Sequence, residues 1–117
     1  MASITHEDIG EDLRRILIAG RLDTPGTNEI SGPLRELAAV PKRGIIVDLS
    51  AVEFAASIAI GQLIVNAQAV KQRGGHMVLI ATQNSVVEMS LKTTGIDNII
   101  PVFKYATDAY VGALRGY

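Results

Sequence analysis

The segment that decides the fold covers residues 44–81 and reads GIIVDLSAVEFAASIAIGQLIVNAQAVKQRGGHMVLIA. It begins and ends with short continuous apolar runs, residues 44–49 and 76–81, which are typical of strands buried on both faces. A helical pattern extends between them over residues 57–73, and Gly74-Gly75 supplies the left-handed residue that ends a helix. Because a helix-length segment separates two buried strands, the sequence predicts a parallel βαβ unit.

The alternation of strands and helices continues toward the N-terminus. We expect a weak strand at residues 3–7 and a second strand at 13–19, and the turn formers at 20–27 predict a loop. A helix follows, in which Pro33 is expected to mark the first turn and Pro41 the end. The apolar positions on its inner face are Ile30, Leu34, Leu37 and Ala38.

The C-terminal half repeats the pattern. Residues 50–56 are expected to form a connection, residues 83–94 a helix and residues 107–114 a final helix. A short strand is predicted at 99–103, where Pro101 places it at a sheet edge. The inner face of the first of these helices is expected to carry Val86, Val87, Met89 and Leu91. The predicted fold class is α/β, with a mixed, mainly parallel sheet of four to five strands and about four flanking helices.

Composition and charge restrict the possible functions. The 117 residues fit one domain over 1–117, with an ordinary globular balance of 48 % hydrophobic and 20 % charged residues. Eleven basic residues against twelve acidic ones give a net charge of −1, which does not favour binding to nucleic acid. The N-terminal residues lack a signal-peptide pattern, and the most apolar stretch, residues 58–70, is shorter than the about 20 residues that cross a bilayer. We therefore expect a cytoplasmic protein without membrane insertion.

Residues that carry chemistry in enzymes and metal sites are sparse. The chain has no cysteine, which excludes disulfides, thiolate metal sites and cysteine nucleophiles. His6 and His76 are far apart in sequence, and neither lies beside a carboxylate cluster at metal-ligand spacing. There is no glycine-rich phosphate loop, and Ser57 lacks the G-x-S-x-G context of a hydrolase nucleophile. We expect neither an enzyme nor a bound cofactor or metal.

The helix predicted over residues 57–73 has apolar residues on more than one side. Ile58 and Val65 fall outside its main apolar face, close to Gly61, and no charged residue occurs before Lys71. The main face consists of Ile60, Leu63, Ile64, Ala67 and Val70. A helix without charge over fourteen residues is either covered by another part of the domain or faces a partner. The residues alone leave both alternatives open.

Four motifs, in this order, resemble the STAS family, the sulfate transporter and anti-sigma factor antagonist domains. They are GRLD at residues 20–23, DLSAVEF at 48–54, RGG at 73–75 and TTGIDNIIPVF at 93–103. The resemblance spans nearly the whole chain, and the joint order of the motifs makes it more specific than any one of them. It implies a STAS-type domain that binds a protein partner.

The resemblance also implies a site. Bacterial anti-sigma factor antagonists of this family bind a kinase-like anti-sigma factor, which uses ATP to phosphorylate one serine or threonine within a D-S-[SA]-G-L pattern. Ser57 matches this phosphoacceptor, whereas Ala56, Ile58 and Ala59 depart from the pattern. Asp23, Ser57, Ile58, Gly61 and Val65 are then expected to bind the partner.

Local chemistry offers a second interpretation of three of these polar residues. Ser57 precedes an apolar helix and is expected to act as its N-cap. Asp23 is expected either to contribute to the partner surface or to cap the helix that follows it. Asp48, at the end of a predicted strand, is expected to bond local backbone N–H groups.

Two functions therefore compete on the sequence, and an enzyme has little support beyond the capacity of the fold to carry a site. One is an anti-sigma factor antagonist switched by phosphorylation of Ser57. The alternative is a constitutive STAS adaptor or scaffold subunit, for example in a transporter ATPase or a stress-signalling complex. The altered segment at residues 56–59 favours the alternative.

Overall fold

A computed structural model describes residues 1–115 and contains one five-stranded sheet with the strand order β1-β2-β3-β4-β5. The elements, in chain order, are β1 (Ala2–Ile9), β2 (Leu13–Leu22), α1 (Thr24–Ala38), β3 (Gly44–Ala55), α2 (Ser57–Gln72), β4 (His76–Ile80), α3 (Val86–Thr94), a 3₁₀ turn (Ile96–Asn98), β5 (Val102–Phe103) and α4 (Ala106–Arg115). β1 pairs with β2 in antiparallel orientation, and all other neighbouring strands are parallel. The mixed, mainly parallel sheet with four helices is the predicted fold class.

The central βαβ unit is confirmed. β3 and β4 pair in parallel with Ile46 opposite Val78, and α2 connects them. Adjacent residues of β3 face opposite sides of the sheet, and both sides are buried: Ile45 and Ile46 are each 0 % exposed. This burial on both faces explains why these strands are continuous apolar runs instead of alternating ones.

The helices form two unequal layers. Side chains of α1, α2 and α3 share one buried cluster with β2, β3 and β4, whereas α4 covers the opposite face with Ala109 and Ala113. The larger helical layer therefore contains the main core, and α2 lies within it.

Of the helices that the structure describes, none combines the length and apolar character needed to span a bilayer.

The loop predicted at residues 20–27 is wrong. β2 continues to Leu22 and α1 already begins at Thr24, because the Asp23 carboxylate accepts a hydrogen bond from the Gly26 N–H at 2.9 Å and caps the helix. Pro33 consequently lies inside α1 and not in its first turn. The buried residues Ile30 and Leu34 on either side of it, each at most 2 % exposed, offset the hydrogen bond that a proline cannot donate.

Two other boundaries differ from expectation. Residues 50–56 were expected to form a connection, but β3 continues to Ala55 because β2 is long enough to pair with it, up to Leu22 opposite Ala55. α3 begins at Val86, three residues late, because the Ser85 hydroxyl caps it by accepting from the Glu88 N–H at 3.0 Å. The predicted helix ends at Gly74 and Gly95 are confirmed, and both have a positive φ.

Candidate partner-binding site

Ser57 is the first residue of α2, and its side chain is exposed. The N-cap is Ala56, whose extended backbone donates its N–H to the Leu22 carbonyl at 2.9 Å and whose side chain makes no cap bond. The prediction that Ser57 caps α2 is therefore wrong, because β3 and its pairing with β2 extend up to the residue before it. The Ser57 hydroxyl has no capping role in the fold.

A groove of about 560 Å³ lies between the start of α2 and the outer face of α3. Its lining combines large apolar side chains with hydroxyl groups: Phe54, Ala55, Ala56, Ser57, Ile60, Val86, Met89, Ser90, Thr93 and Thr94. Val86 and Met89, which were predicted to face the core, are 59 % and 62 % exposed. Ser57 thus borders an apolar concavity that is open to solvent.

Sequence reasoning missed Val86 and Met89 as surface residues, although the pattern contains a signal. Val86 and Val87 are adjacent, so they cannot both lie on one narrow helix face. Of the four apolar candidates, Val87 and Leu91 are the two that are buried. When a short helix carries more apolar residues than one face can hold, some of them must be exposed.

Asp23 lies at the same end of the sheet as Ser57. β2 and β3 pair with Leu22 opposite Ala55, so Asp23 and Ala56 follow directly at the ends of neighbouring strands. The cap interpretation of Asp23 is confirmed by its hydrogen bond from Gly26. A Cβ added at Gly26 would lie 2.0 Å from the carbonyl oxygen of Arg21, so only glycine fits where the start of α1 meets β2.

Arg21 and Phe54 join this end of the sheet, and the sequence did not single them out. They are Cα partners in the β2–β3 ladder, and the Arg21 guanidinium carbon lies 4.4 Å from the centroid of the Phe54 ring. The Arg21 Nε is 3.4 Å from the Asp23 carboxylate. The contact depends on strand register, which a single sequence does not show.

The outer side of α2 is open along its length. Ile58 is 43 % exposed and Val65 is 60 % exposed, and Gly61 is exposed between them. Val65 also borders a second groove of about 410 Å³ between α1 and α2, lined by Ser31, Gly32, Arg35, Gln62, Asn66 and Ala69. The predicted partner residues Ile58, Gly61 and Val65 therefore lie on a surface, not under another part of the domain.

Asp48 forms a polar cluster within the sheet. Its carboxylate accepts hydrogen bonds from the Ser50 backbone N–H at 2.9 Å and the Ser50 hydroxyl at 2.6 Å, which confirms the predicted local bonding. It also pairs with Arg15, which donates to the Tyr110 hydroxyl at 3.0 Å and thereby connects β2, β3 and α4. Burial alone would raise the pKa of Asp48, but the hydrogen bonds from Ser50 and Arg15 outweigh it and hold the pKa below its usual value.

A family model describes the chain as a STAS domain over residues 7–109. The chain belongs to the STAS family. Within residues 1–115, no group of three or more histidine, aspartate and glutamate residues is arranged to hold a metal ion. A comparison with curated proteins finds no match.

Several solved structures share this STAS fold. An anti-sigma factor antagonist from Mycobacterium paratuberculosis has a TM-score of 0.87 at 18 % identity, over 97 % of this chain and 94 % of the other. An anti-sigma-factor antagonist (STAS) domain protein from Planctomyces limnophilus has a TM-score of 0.75 at 22 % identity, over 97 % and 98 %. The Bacillus cell fate determinant SpoIIAA in its phosphorylated form has a TM-score of 0.66 at 14 % identity, over 93 % and 97 %. At these identities the likeness shows the fold.

The four STAS motifs occupy structural positions that explain their residues. GRLD ends β2 and caps α1, and DLSAVEF forms most of β3. RGG ends α2 before β4, and its Gly74 has a φ of +86°. The last motif runs from the end of α3 through the 3₁₀ turn to β5. Two of the motifs therefore place Asp23, and Ser57 three residues after the second of them, at one end of the sheet.

Proposed function

We propose that this STAS domain is an anti-sigma factor antagonist that binds a kinase-like anti-sigma factor and is switched by phosphorylation of Ser57. The observation that carries the proposal is the position of Ser57, exposed at the first residue of α2 and at the rim of an open apolar groove. Membership in the STAS family and the shared fold with anti-sigma factor antagonists support it. The protein then acts as a binding partner in the regulation of transcription, in the cytoplasm and not as an enzyme.

The binding surface, here called the Ser57 face, surrounds the start of α2. It consists of Asp23, Phe54, Ser57, Ile58, Gly61, Val65, Val86 and Met89. Four of its apolar side chains are between 43 % and 62 % exposed: Ile58, Val65, Val86 and Met89. Apolar patches that are rimmed by polar groups on a small domain mark interaction sites, because their burial in a complex removes apolar surface from water.

The chemistry at Ser57 needs only its hydroxyl and access. In the proposed reaction, the Ser57 Oγ attacks the γ-phosphorus of ATP bound to the kinase-like partner. The new O–P bond forms as the bond to the bridging oxygen of ADP breaks, and the hydroxyl proton passes to a base of the kinase. Ser57 gains a phosphate of about −1.5 to −2 charge.

A phosphate on Ser57 is expected to be favourable in the free domain and unfavourable in the complex. The first N–H groups of a helix have no carbonyl partner within the helix and form its positive end, so a phosphate on Ser57 is favoured electrostatically. The same charge buried against a partner is unfavourable unless the partner supplies a counter-charge. Phosphorylation therefore releases the partner without unfolding the antagonist.

A constitutive STAS adaptor is the second candidate, and a specific observation favours it. Ala56, Ile58 and Ala59 replace the residues of the family pattern around the phosphoacceptor. In this alternative the open outer side of α2 is a permanent interface, and the Ser57 hydroxyl has no regulatory role.

Incubation with candidate kinase-like anti-sigma factors and Mg-ATP, followed by mass spectrometry, separates the two functions. The antagonist predicts a single phosphate on the peptide that contains Ser57, and no phosphate on the Ser57→Ala variant. Stable binding of such a partner with no modification of Ser57 would favour the adaptor.

A further inference from the structure

The Arg21 guanidinium contacts two residues of the Ser57 face, Asp23 and Phe54, but has no short ion pair in the part of the chain that the structure describes. The side chain of Arg21 is 57 % exposed. Among the described residues it forms one ion pair, to Asp23 at 3.4 Å, which is long and shared with solvent because Asp23 is 41 % exposed. Exposed pairs of this kind contribute little to stability. Within residues 1–115, no hydrogen bond from the Arg21 guanidinium to another residue is present. Its donors are therefore available to a ligand.

The Phe54 ring determines where this guanidinium lies. The guanidinium carbon sits 4.4 Å from the ring centroid, within the range of cation–π contact. A guanidinium that contacts a ring in this way keeps N–H groups available for a second partner, as in sites where arginine binds both an aromatic ring and a phosphate. Phe54 and Ser57 line the same groove, so the ring that contacts the Arg21 guanidinium is also part of the wall of the site that contains Ser57.

We propose that Arg21 is an intramolecular ligand for phosphate on Ser57. In the unmodified domain it rests on Phe54 and near Asp23, and in the modified domain its fork of donors turns to the phosphate oxygens. A bidentate arginine–phosphate contact is shorter and stronger than the loose pair with Asp23, so Arg21 binds the phosphate in preference to Asp23. Phosphorylation then changes the Ser57 face twice, by adding charge at Ser57 and by withdrawing the cation from Asp23.

This inference rests on the proposed function, because it needs a phosphate on Ser57, but its test does not need the kinase. Phosphoserine is installed at position 57 by genetic code expansion, and the ionisation of the phosphate is followed by ³¹P NMR as a function of pH. A nearby cation favours the doubly ionised phosphate. The acid dissociation constant of the phosphate is therefore expected to be about threefold larger in the otherwise wild-type domain than in Arg21→Gln.

Two further variants make the result specific. Arg43→Gln removes an exposed arginine just before β3, at the opposite end of that strand from Ser57, and should leave the dissociation constant unchanged. Arg21→Lys keeps the charge but loses the planar fork, so an intermediate constant is expected. The Arg21 Nε–H resonance in ¹⁵N-resolved spectra should also shift on phosphorylation, which reports the movement of the side chain in a folded wild-type background.

Equal dissociation constants in the wild type and Arg21→Gln, with an unmoved Nε–H resonance, would overturn the inference. The outcome is independent of the kinase assay. If a kinase modifies Ser57 but Arg21 has no effect on the phosphate, the proposed function stands and this inference fails. If no kinase modifies Ser57 but the installed phosphate recruits Arg21, this contact stands and the switch fails.

Discussion

A negative charge placed at either end of α2 should have opposite effects on stability, and only one of them should affect the partner. Ser57→Asp adds a carboxylate at the first residue of α2, where the helix dipole stabilises it by about 0.3–1 kcal/mol at low ionic strength. Gln72→Asp adds the same charge at the last residue of α2, which is also exposed, and should destabilise the fold by a similar amount. The two variants should therefore differ by roughly 0.6–2 kcal/mol in the free energy of unfolding.

Binding distinguishes the two charges more sharply. The carboxylate that Ser57→Asp introduces would enter the proposed interface, where an unpaired charge costs several kcal/mol. Since about 1.4 kcal/mol is a factor of ten in affinity, Ser57→Asp should weaken binding to the anti-sigma factor a hundredfold or more. Gln72→Asp lies at the far end of the helix and should bind like the wild type. Ser57→Ala should bind normally and unfold like the wild type, because Ala56 and not Ser57 occupies the cap position.

Urea unfolding at low and high salt, together with isothermal titration calorimetry on the same preparations, checks these expectations. The difference in stability between the two charge variants should shrink at high salt, where surface electrostatics are screened. Equal affinity of the wild type and Ser57→Asp for the true partner would refute the switch. A loss of about 1 kcal/mol in Ser57→Ala would show that its hydroxyl caps the helix after all.

Three further changes test the packing behind the site. Val65→Lys should alter the free energy of unfolding by less than about 0.5 kcal/mol yet weaken the complex in a pull-down. Leu63→Ala, on the buried side of the same helix, should lower the free energy of unfolding by about 2–5 kcal/mol. A comparable loss in Val65→Lys would show that Val65 belongs to the core. The pKa of Asp48 is lowered in the folded state from its ordinary value of 3.8, so its stabilisation is present above that value and is lost as the pH falls through the folded pKa. Asp48→Asn should remove the buried one of the two carboxylates that pair with Arg15 among the described residues, and leave the longer, exposed pair with Glu7 at 3.4 Å. It should cost about 1–3 kcal/mol at pH 7 and flatten acid unfolding, and an unchanged acid profile would contradict this. Gly26→Ala should lower the melting temperature, because the added Cβ would lie 2.0 Å from a backbone carbonyl oxygen of β2, and an unchanged melting curve would show that this junction is not tightly packed.

The central strands and α2 were predictable from sequence because burial determines their composition. A strand covered on both sides must be apolar at consecutive positions, and a helix that covers it must carry Ile60, Leu63 and Val70 at helical spacing. These constraints act over short distances along the chain. The pattern of residues 44–81 therefore predicts the pairing of β3 with β4 as well as the elements themselves.

The errors occur where one residue type serves two structures. Asp23 and Pro25 are turn formers, but aspartate is also an N-cap and proline is favoured in the first turn of a helix, and α1 uses both in that way. The length of β3 was underestimated for another reason, since its last residues pair only with β2 and are not buried on both faces. A local window of sequence shows both roles of such residues but not which one the fold uses, and it does not show the pairing partner of a strand.

The site itself was predictable in part. Family motifs place Asp23 and Ser57, and helical spacing places Ile58 and Val65 on the outside of α2, where the structure finds them. Arg21 and Phe54 come together only through the register of two strands, and the exposure of Met89 depends on which side of α3 packs against the sheet. Their roles in partner binding remain predictions.

The displacement of Ser57 by one residue from the cap position bears on the proposed switch. A capping hydroxyl accepts a hydrogen bond from the helix, so its modification disturbs the group that defines the helix start. In this domain the side chains of Asp23 and Ser85 cap α1 and α3. α2 has no side-chain cap, and its N-cap residue Ala56 donates its backbone N–H to the Leu22 carbonyl of β2. The Ser57 hydroxyl thus does not cap α2, although it lies at the positive end of that helix. A switch needs such a residue, because its modification should change what a partner encounters while the free energy of folding stays nearly constant.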